Sequence, residues 1–224
     1  MDKNKGCLHE KNLGLSINSL KETAVEMIVK CEVIVEEAVN AMVAKDIEKS
    51  KEIIGLDDDI DDLRGYIREQ IIELIALRQP MAKDLRTIYA LSIMSTELER
   101  IGDYAVNFAM ETIKIGEDEY VEELIDIPKM KRVSMDMLKN AKMAFMNSDV
   151  KLAHKTALQD DIIDDLYNEV YIDCISAMHR DKRNIAQAVR LLLVGRFLER
   201  IGDHVTNICE MIIYSIKGEM LELD

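Results

Sequence analysis

The sequence predicts an all-α protein built as two tandem three-helix bundles, six long helices in all. Three observations carry this expectation. Leu, Ile, Met, Glu, Lys and Ala dominate, and the 224 residues hold only 2 Pro and 9 Gly to interrupt helices. Hydrophobic residues make up 48%, enough for a real core and too many for a disordered chain. The hexapeptide Leu98-Glu99-Arg100-Ile101-Gly102-Asp103 returns as Leu198-Glu199-Arg200-Ile201-Gly202-Asp203, 100 residues later. Self-similarity at long period marks an architecture of repeated units.

Residues 1–11 are polar, contain Gly6 and read as a flexible lead-in. A first helix follows over about 15–45, with Ile17, Leu20, Ala24, Met27, Ile28, Cys31 and Ile34 at helical spacing. Asp46 is placed to cap the next helix. That second helix runs over about 46–78, with Leu56, Ile60, Leu63, Ile67, Ile71, Leu74 and Ile75 as its stripe, until Gln79-Pro80 stops it. The third covers about 81–115 and ends at Gly116. A fourth covers about 119–147, where Pro128 predicts a break or a late start. Asn147-Ser148-Asp149 makes the turn and cap for a fifth over about 149–179. The polar stretch from His179 to Asn184 turns the chain into a sixth over about 184–217, closed by Gly218. The repeats are then 12–116 and 117–224, and long helices with short connections pack as antiparallel bundles, end to end or side by side.

The formal net charge is −14, and no basic stripe is visible, which sets nucleic-acid binding aside. The longest apolar run, around Leu191 to Gly195, is too short to cross a bilayer, so no membrane insertion is expected. No apolar run follows the N-terminus, which argues against a signal peptide. Cys7, Cys31, Cys174 and Cys209 form no C-x-x-C pair and read as reduced thiols of a cytoplasmic protein.

The acids form a pattern. With Glu99 at zero on a helical wheel, Asp103 lies at about 40° and Asn107 at about 80°, against an apolar set near 180–260°. That set is Leu98, Ile101, Ala105 and Phe108; Glu199, Asp203 and Asn207 stand likewise against Leu198, Ile201, Val205 and Ile208. The oxygen-bearing row is therefore expected to face away from the core. Asp57 and Asp61 share a face one turn apart, as do Asp160 and Asp164. In an antiparallel hairpin, residues at one level have position numbers with a constant sum. Glu99 with Asp61, and Asp103 with Asp57, share a sum whose midpoint is Pro80. Glu199 with Asp164, and Asp203 with Asp160, share one whose midpoint falls between Asp181 and Lys182. Both midpoints are expected turns.

Four carboxylates held together repel unless a cation neutralises them. Oxygen ligands suit Mg²⁺, Mn²⁺ or iron better than zinc. The competing reading is a solvated outer face paired with Arg and Lys. Asp58/Asp62 and Asp161/Asp165 offer a second register of acid pairs. Gly102 and Gly202, each inside a helix, point to close approach by another backbone or by a ligand. Arg100 and Arg200 flank the row, and His204 replaces Tyr104 without the look of a ligand.

Taken together, the two copies of Leu-Glu-Arg-Ile-Gly-Asp, each followed by Asn four residues on, resemble the PhoU family of phosphate-signalling proteins. Arg78-Gln79-Pro80 through Asp84-Leu85-Arg86, and Asn207-Ile208-Cys209-Glu210 through Ile216-Lys217-Gly218, look like further elements of that family. The resemblance runs from about residue 12 to the end. It implies pseudo-two-fold symmetry between the repeats and metal ions (iron, zinc, magnesium or manganese) on the acidic faces. Carried over by position, the ligands are Asp57, Asp61, Glu99 and Asp103, then Asp160, Asp164, Glu199 and Asp203. It also implies a cytoplasmic homodimer that links the ATP-binding subunit of a phosphate ABC transporter to a sensor histidine kinase and represses phosphate-starvation genes. The alternatives are a PhoU-like adaptor of another ion or phosphate permease, and a carboxylate-metal enzyme. Di-iron bundle enzymes use Glu-x-x-His; here His9, His154, His179 and His204 are scattered and make no such motif.

Overall fold

The computed structural model describes residues 3–223, with side chains from residue 13 onward; Met1, Asp2 and the side chains of Cys7 and His9 lie outside the described residues. The first repeat contains α1 (Lys3–Ala44), α2 (Ile47–Ile53), α3 (Asp58–Arg78) and α4 (Lys83–Ile115). The second contains α5 (Asp126–Asn147), α6 (Val150–Ala157), α7 (Asp160–Arg180) and α8 (Ile185–Lys217). No strand occurs among the described residues. The six long helices are those the sequence predicts, α1, α3, α4, α5, α7 and α8.

The boundaries differ in three places. The first helix begins at Lys3 and so runs through residues 3–11, read from sequence as lead-in. The single helices expected over 46–78 and 149–179 each break, into α2 and α3 and into α6 and α7. The cause is tertiary. The short α2 packs on α1 and α4, and α6 on α5 and α8. Each buries its last residue or the one before, at Ile53 and at Thr156–Ala157, while Leu56 and Leu158 are left exposed at the joints. The chain then restarts in a new direction.

The expected punctuation is in place. The Asp46 carboxylate accepts from the Lys49 N–H, and the Asp149 carboxylate from Lys151 and Leu152 N–H. Gly116 and Gly218 end α4 and α8 with positive φ, which glycine adopts freely. Pro128 stands in the first turn of α5, which starts late, at Asp126. The hairpins turn at residues 79–82 and through a 3-10 turn at Lys182–Asn184.

Within each repeat the three long helices touch one another, α1 with α3 and α4, and α5 with α7 and α8. The repeats lie side by side. Their largest helix–helix contact is α4 against α8, and one apolar core continues through both, from Leu13 to Ile213. The helices carrying the repeated hexapeptide are thus the inner pair. Polar links cross the join: Lys142 Nζ donates to Glu32 Oε1 at 2.7 Å, Arg190 Nη1 to Glu111 Oε2 at 2.8 Å, and Tyr120 Oη to the Met42 carbonyl at 2.6 Å.

At the α4–α8 crossing the repeats differ. His204 Nδ1 lies 2.7 Å from Glu97 Oε2, which also accepts from Asn207 Nδ2 at 3.0 Å. The equivalent contact on the other side is aromatic: Tyr104 meets Phe197 with ring centroids 5.8 Å apart. Among the described residues no helix is long and apolar enough to cross a membrane.

Candidate metal centre

Each repeat brings its acids together at one level of a helix hairpin. In the first, Asp57 caps α3, Asp61 lies one turn on, and Glu99 and Asp103 face them from α4. The hairpin register follows the constant-sum rule: Gly102 sits opposite Asp57 and Ile60, close enough that a Cβ there would lie 3.1 Å from Ile60 Cδ1. In the second, Gly202 sits opposite Asp160 and Ile163; a Cβ there would overlap Asp160 Oδ1 and lie 2.9 Å from Ile163 Cδ1. The glycines therefore admit side chains of the neighbouring helix, not its backbone. Glycine costs a helix interior about 1 kcal/mol, and here it lets the acids of two helices approach.

The two glutamates are deeper than a helical wheel suggests. The Glu99 and Glu199 side chains keep only 13% and 11% of their surface. The wheel ranks them against the core stripe of their own helix, whereas α3 and α7 close over that shoulder. Asp57 and Asp160 are half-buried, whereas Asp61 and Asp164 are exposed, as are Asp58, Asp62, Asp161 and Asp165 of the alternative register. Asp59 is turned away onto Lys30, at 2.7 Å.

Burial and crowding set the electrostatics. Loss of solvent raises Glu99, with Asp103 and Asp61 adding repulsion and Arg64 opposing it. Asp57 is raised by burial and by Asp58, Asp61 and Asp103. In the second repeat burial first, then Asp203 and Asp164, push Asp160 up to about 7. Burial and Asp203 raise Asp164 and Glu199 likewise. Carboxyls in such company favour a proton or a cation.

Five buried side-chain nitrogen or oxygen atoms lack a hydrogen-bond partner among the described residues, and three belong to these acids: Glu99 Oε2, Asp160 Oδ1 and Glu199 Oε2. An orphaned buried acceptor is costly, and a hard cation would satisfy it. In that respect the residues fit a metal ion. Yet among the described residues no three Asp, Glu, His or Cys side chains stand close enough, as placed, to share one ion. Arginines hold the acids of α4 and α8. Glu99 Oε1 accepts from Arg64 Nη1 at 3.0 Å, and Glu199 Oε1 from Arg196 Nη1. Asp103 and Asp203 are held by Arg100 and Arg200 of their own helix, at 3.2 and 2.6 Å.

Arg64 and Arg196 are neighbours of the acids that sequence reasoning missed. Arg196 precedes Glu199 by three residues, a spacing that puts the two side chains together on a helix. Arg64 lies on the same hairpin, within a turn of the level of Glu99. Asn207 turns to Glu97, away from the acids. A recess of about 350 Å³ opens on the second acid set, lined by Asp160, Asp161, Asp164 and Asp203 and bordered by Leu223. The Leu223 N–H donates to Glu210 Oε1 at 2.7 Å, which folds the C-terminal segment back over α8.

A family model described as the PhoU domain matches residues 24–112 and again 127–212. The phosphate-specific transport system accessory protein PhoU homolog of Clostridium acetobutylicum is 33% identical over 189 residues, 84% of this chain and 86% of that relative. The crystal structure of PhoU from Pseudomonas aeruginosa has a TM-score of 0.88 at 30% identity, covering 92% of this chain and 99% of the other. The phosphate transport system regulatory protein PhoU from Streptococcus pneumoniae has a TM-score of 0.87 at 26% identity, covering 94% and 99%.

Proposed function

The chain belongs to the PhoU family, and on that premise we propose that it is the accessory regulator of a phosphate-specific transport system, a cytoplasmic metal-binding adaptor rather than an enzyme. It docks on the ATP-binding subunit of a phosphate ABC transporter and on a sensor histidine kinase, works as a homodimer, and represses phosphate-starvation genes when phosphate is plentiful.

The observation supporting metal binding is the pair of matched acid sets with buried oxygens that accept no hydrogen bond, Glu99 Oε2, Asp160 Oδ1 and Glu199 Oε2, the two glutamate oxygens lying only at ion-pair distance from Arg100 and Arg200. Asp57, Asp61, Glu99 and Asp103 hold ions in the first repeat, and Asp160, Asp164, Glu199 and Asp203 in the second. The all-oxygen set favours iron, manganese or magnesium over zinc. A bound cation supplies positive charge between the two helices of each hairpin. The chain's own residues do the remainder: Gly102 and Gly202 let the helices close, and Arg64 and Arg196 hold the glutamates.

Two experiments test this. A strain lacking the protein should lose repression of phosphate-starvation genes in high phosphate; full repression in that strain would remove the regulatory reading. Elemental analysis of protein purified without chelator should find metal in the wild type and none in a Glu99→Ala, Glu199→Ala double variant. A wild type free of metal would remove the metal-site reading.

A further inference from the structure

The two hairpins share a backbone plan but differ just beyond the acids. Between α3 and α4, a pocket of about 240 Å³ is lined by Arg64, Arg68, Ser92, Ser95 and Thr96. By the constant-sum rule Arg64 stands level with Thr96 and Arg68 with Ser92, so the two arginines, one turn apart, face the hydroxyl row directly. No acidic side chain lines the pocket, in a chain of net charge −14. Arg68 makes no ion pair or hydrogen bond among the described residues. Arg64 spends Nη1 on Glu99 and keeps its other donors. Ser95 and Thr96 hydroxyls donate only to the Ser92 carbonyl of their own helix, at 2.9 and 3.2 Å, a bond easily exchanged by rotation.

The second repeat fills the same space with side chains. The corresponding residues are Tyr167, Tyr171, Leu192, Gly195 and Arg196. The Tyr167 ring lies on Gly195, where a Cβ would come within 3.0 Å of Cδ2. Arg196 serves Glu199 from its own helix, whereas Arg64 reaches Glu99 from across the groove beside the pocket. One copy is plugged by an aromatic ring; the other is open and lined by guanidinium and hydroxyl groups.

We propose that the α3–α4 pocket of the first repeat binds a tetrahedral oxyanion of the phosphate class, with Arg64 and Arg68 supplying charge and Ser92, Ser95 and Thr96 supplying hydroxyl donors. Guanidinium groups pair with a phosphate by two bonds at once, and the hydroxyls of Ser92, Ser95 and Thr96 can donate to its oxygens or accept from a P–OH. The choice of phosphate among oxyanions rests on the regulatory reading above; the anion site itself does not.

The test is calorimetric titration of the full chain, stripped with chelator so that phosphate cannot ride on a metal at the carboxylates. Inorganic phosphate, sulfate and glycerol 3-phosphate are the probes. Phosphate should bind one per chain. Arg68→Ala, a change at an exposed and unpaired side chain, should weaken it roughly tenfold or more. Ser92→Leu, which installs the second repeat's residue, should abolish binding while helicity and melting stay normal. Tyr167→Ala should change nothing. Tighter binding of the ester assigns the site to an esterified phosphate and supports the pocket equally. Absence of binding by all three probes, preference for sulfate, two ions per chain, or full affinity in Arg68→Ala overturns the proposal. A chain that restores repression in a deletion strain yet binds no oxyanion sinks this inference alone. One that binds phosphate through Arg68 but restores nothing sinks only the regulatory reading.

Discussion

Replacing Asp160 by Asn should make the metal-free protein more stable at neutral pH. Burial beside Asp203 and Asp164 moves the Asp160 carboxyl from 3.8 to about 7. At about 1.36 kcal/mol per pH unit, that shift caps the cost of the charged form near ~4 kcal/mol. Asp160 is only half-buried, and solvent screening brings the figure to roughly 1–2 kcal/mol. The folded state binds the extra proton between about pH 4 and 7, so stability falls as pH rises through that window and the full cost stands above it. Asn keeps the shape: its amide can donate to Thr206 Oγ1, which now donates to Asp160 Oδ2 at 3.3 Å. Thermal melts of chelator-treated wild type and Asp160→Asn at pH 4.5, 6 and 8 read the effect. The two should nearly coincide at pH 4.5, and the variant should melt roughly 2–8 °C higher at pH 8. Adding Mn²⁺ should raise the wild type more than the variant. A variant less stable at pH 8, or a difference independent of pH, would refute the idea that this carboxylate is held under electrostatic strain.

Glu97→Ala strips His204 and Asn207 of their acceptor, and urea melts at pH 7 should show a loss of about 1–3 kcal/mol. Glu97 is held below the ordinary glutamate range by those two partners, against its burial. Its contribution is therefore present above that range and lost as pH falls through its lowered pKa, a slope that acid melts should find missing in the variant. Gly202→Ala should displace the Asp160 carboxylate and lower metal uptake at the second site by elemental analysis. Gly102→Ala, which meets only the tip of Ile60 at close range, should leave uptake intact and stability within about 1 kcal/mol of wild type. Burial lifts the thiols of Cys31, Cys174 and Cys209, the last two up to about 11 and about 12. Peptide mapping after a thiol reagent at pH 8 should find all three unmodified in the native protein and modified in denaturant.

Much of the architecture was legible because its signals are local and periodic. Asp46, Gly116, Asp149 and Gly218 end or begin helices through their own backbone and side-chain chemistry, whatever the neighbours do. The constant-sum arithmetic worked because both hairpins turn at short, rigid links, Gln79–Ala82 and Asp181–Asn184. The breaks after Ile53 and Ala157 were not legible. Leu56 and Leu158 continue an apolar rhythm, and only the packing of α2 on α4 and of α6 on α8 pulls the chain out of line there. The level that the acids share on each hairpin was legible, but the depth of Glu99 and Glu199 was not, because a wheel describes one helix and that depth is set by the next. The arginines that grip them were missed for the same reason in the case of Arg64, which reaches across from α3. Arg196 was within reach of the i, i+3 rule.

The crossing of α4 over α8 has a consequence for the history of the molecule. A freshly duplicated half would meet its twin through one self-complementary patch, with identical contacts on either side of the axis. Here one side is Glu97 with His204 and Asn207, and the other is Tyr104 with Phe197. Two first halves would set each Glu97 against a Tyr104 and an Asn107, with no imidazole; two second halves would set each His204 against a Phe197. The Glu97–His204 contact can therefore form only between unlike halves. The divergence that left one hairpin with a pocket and filled the other also gave the pairing of the halves a direction.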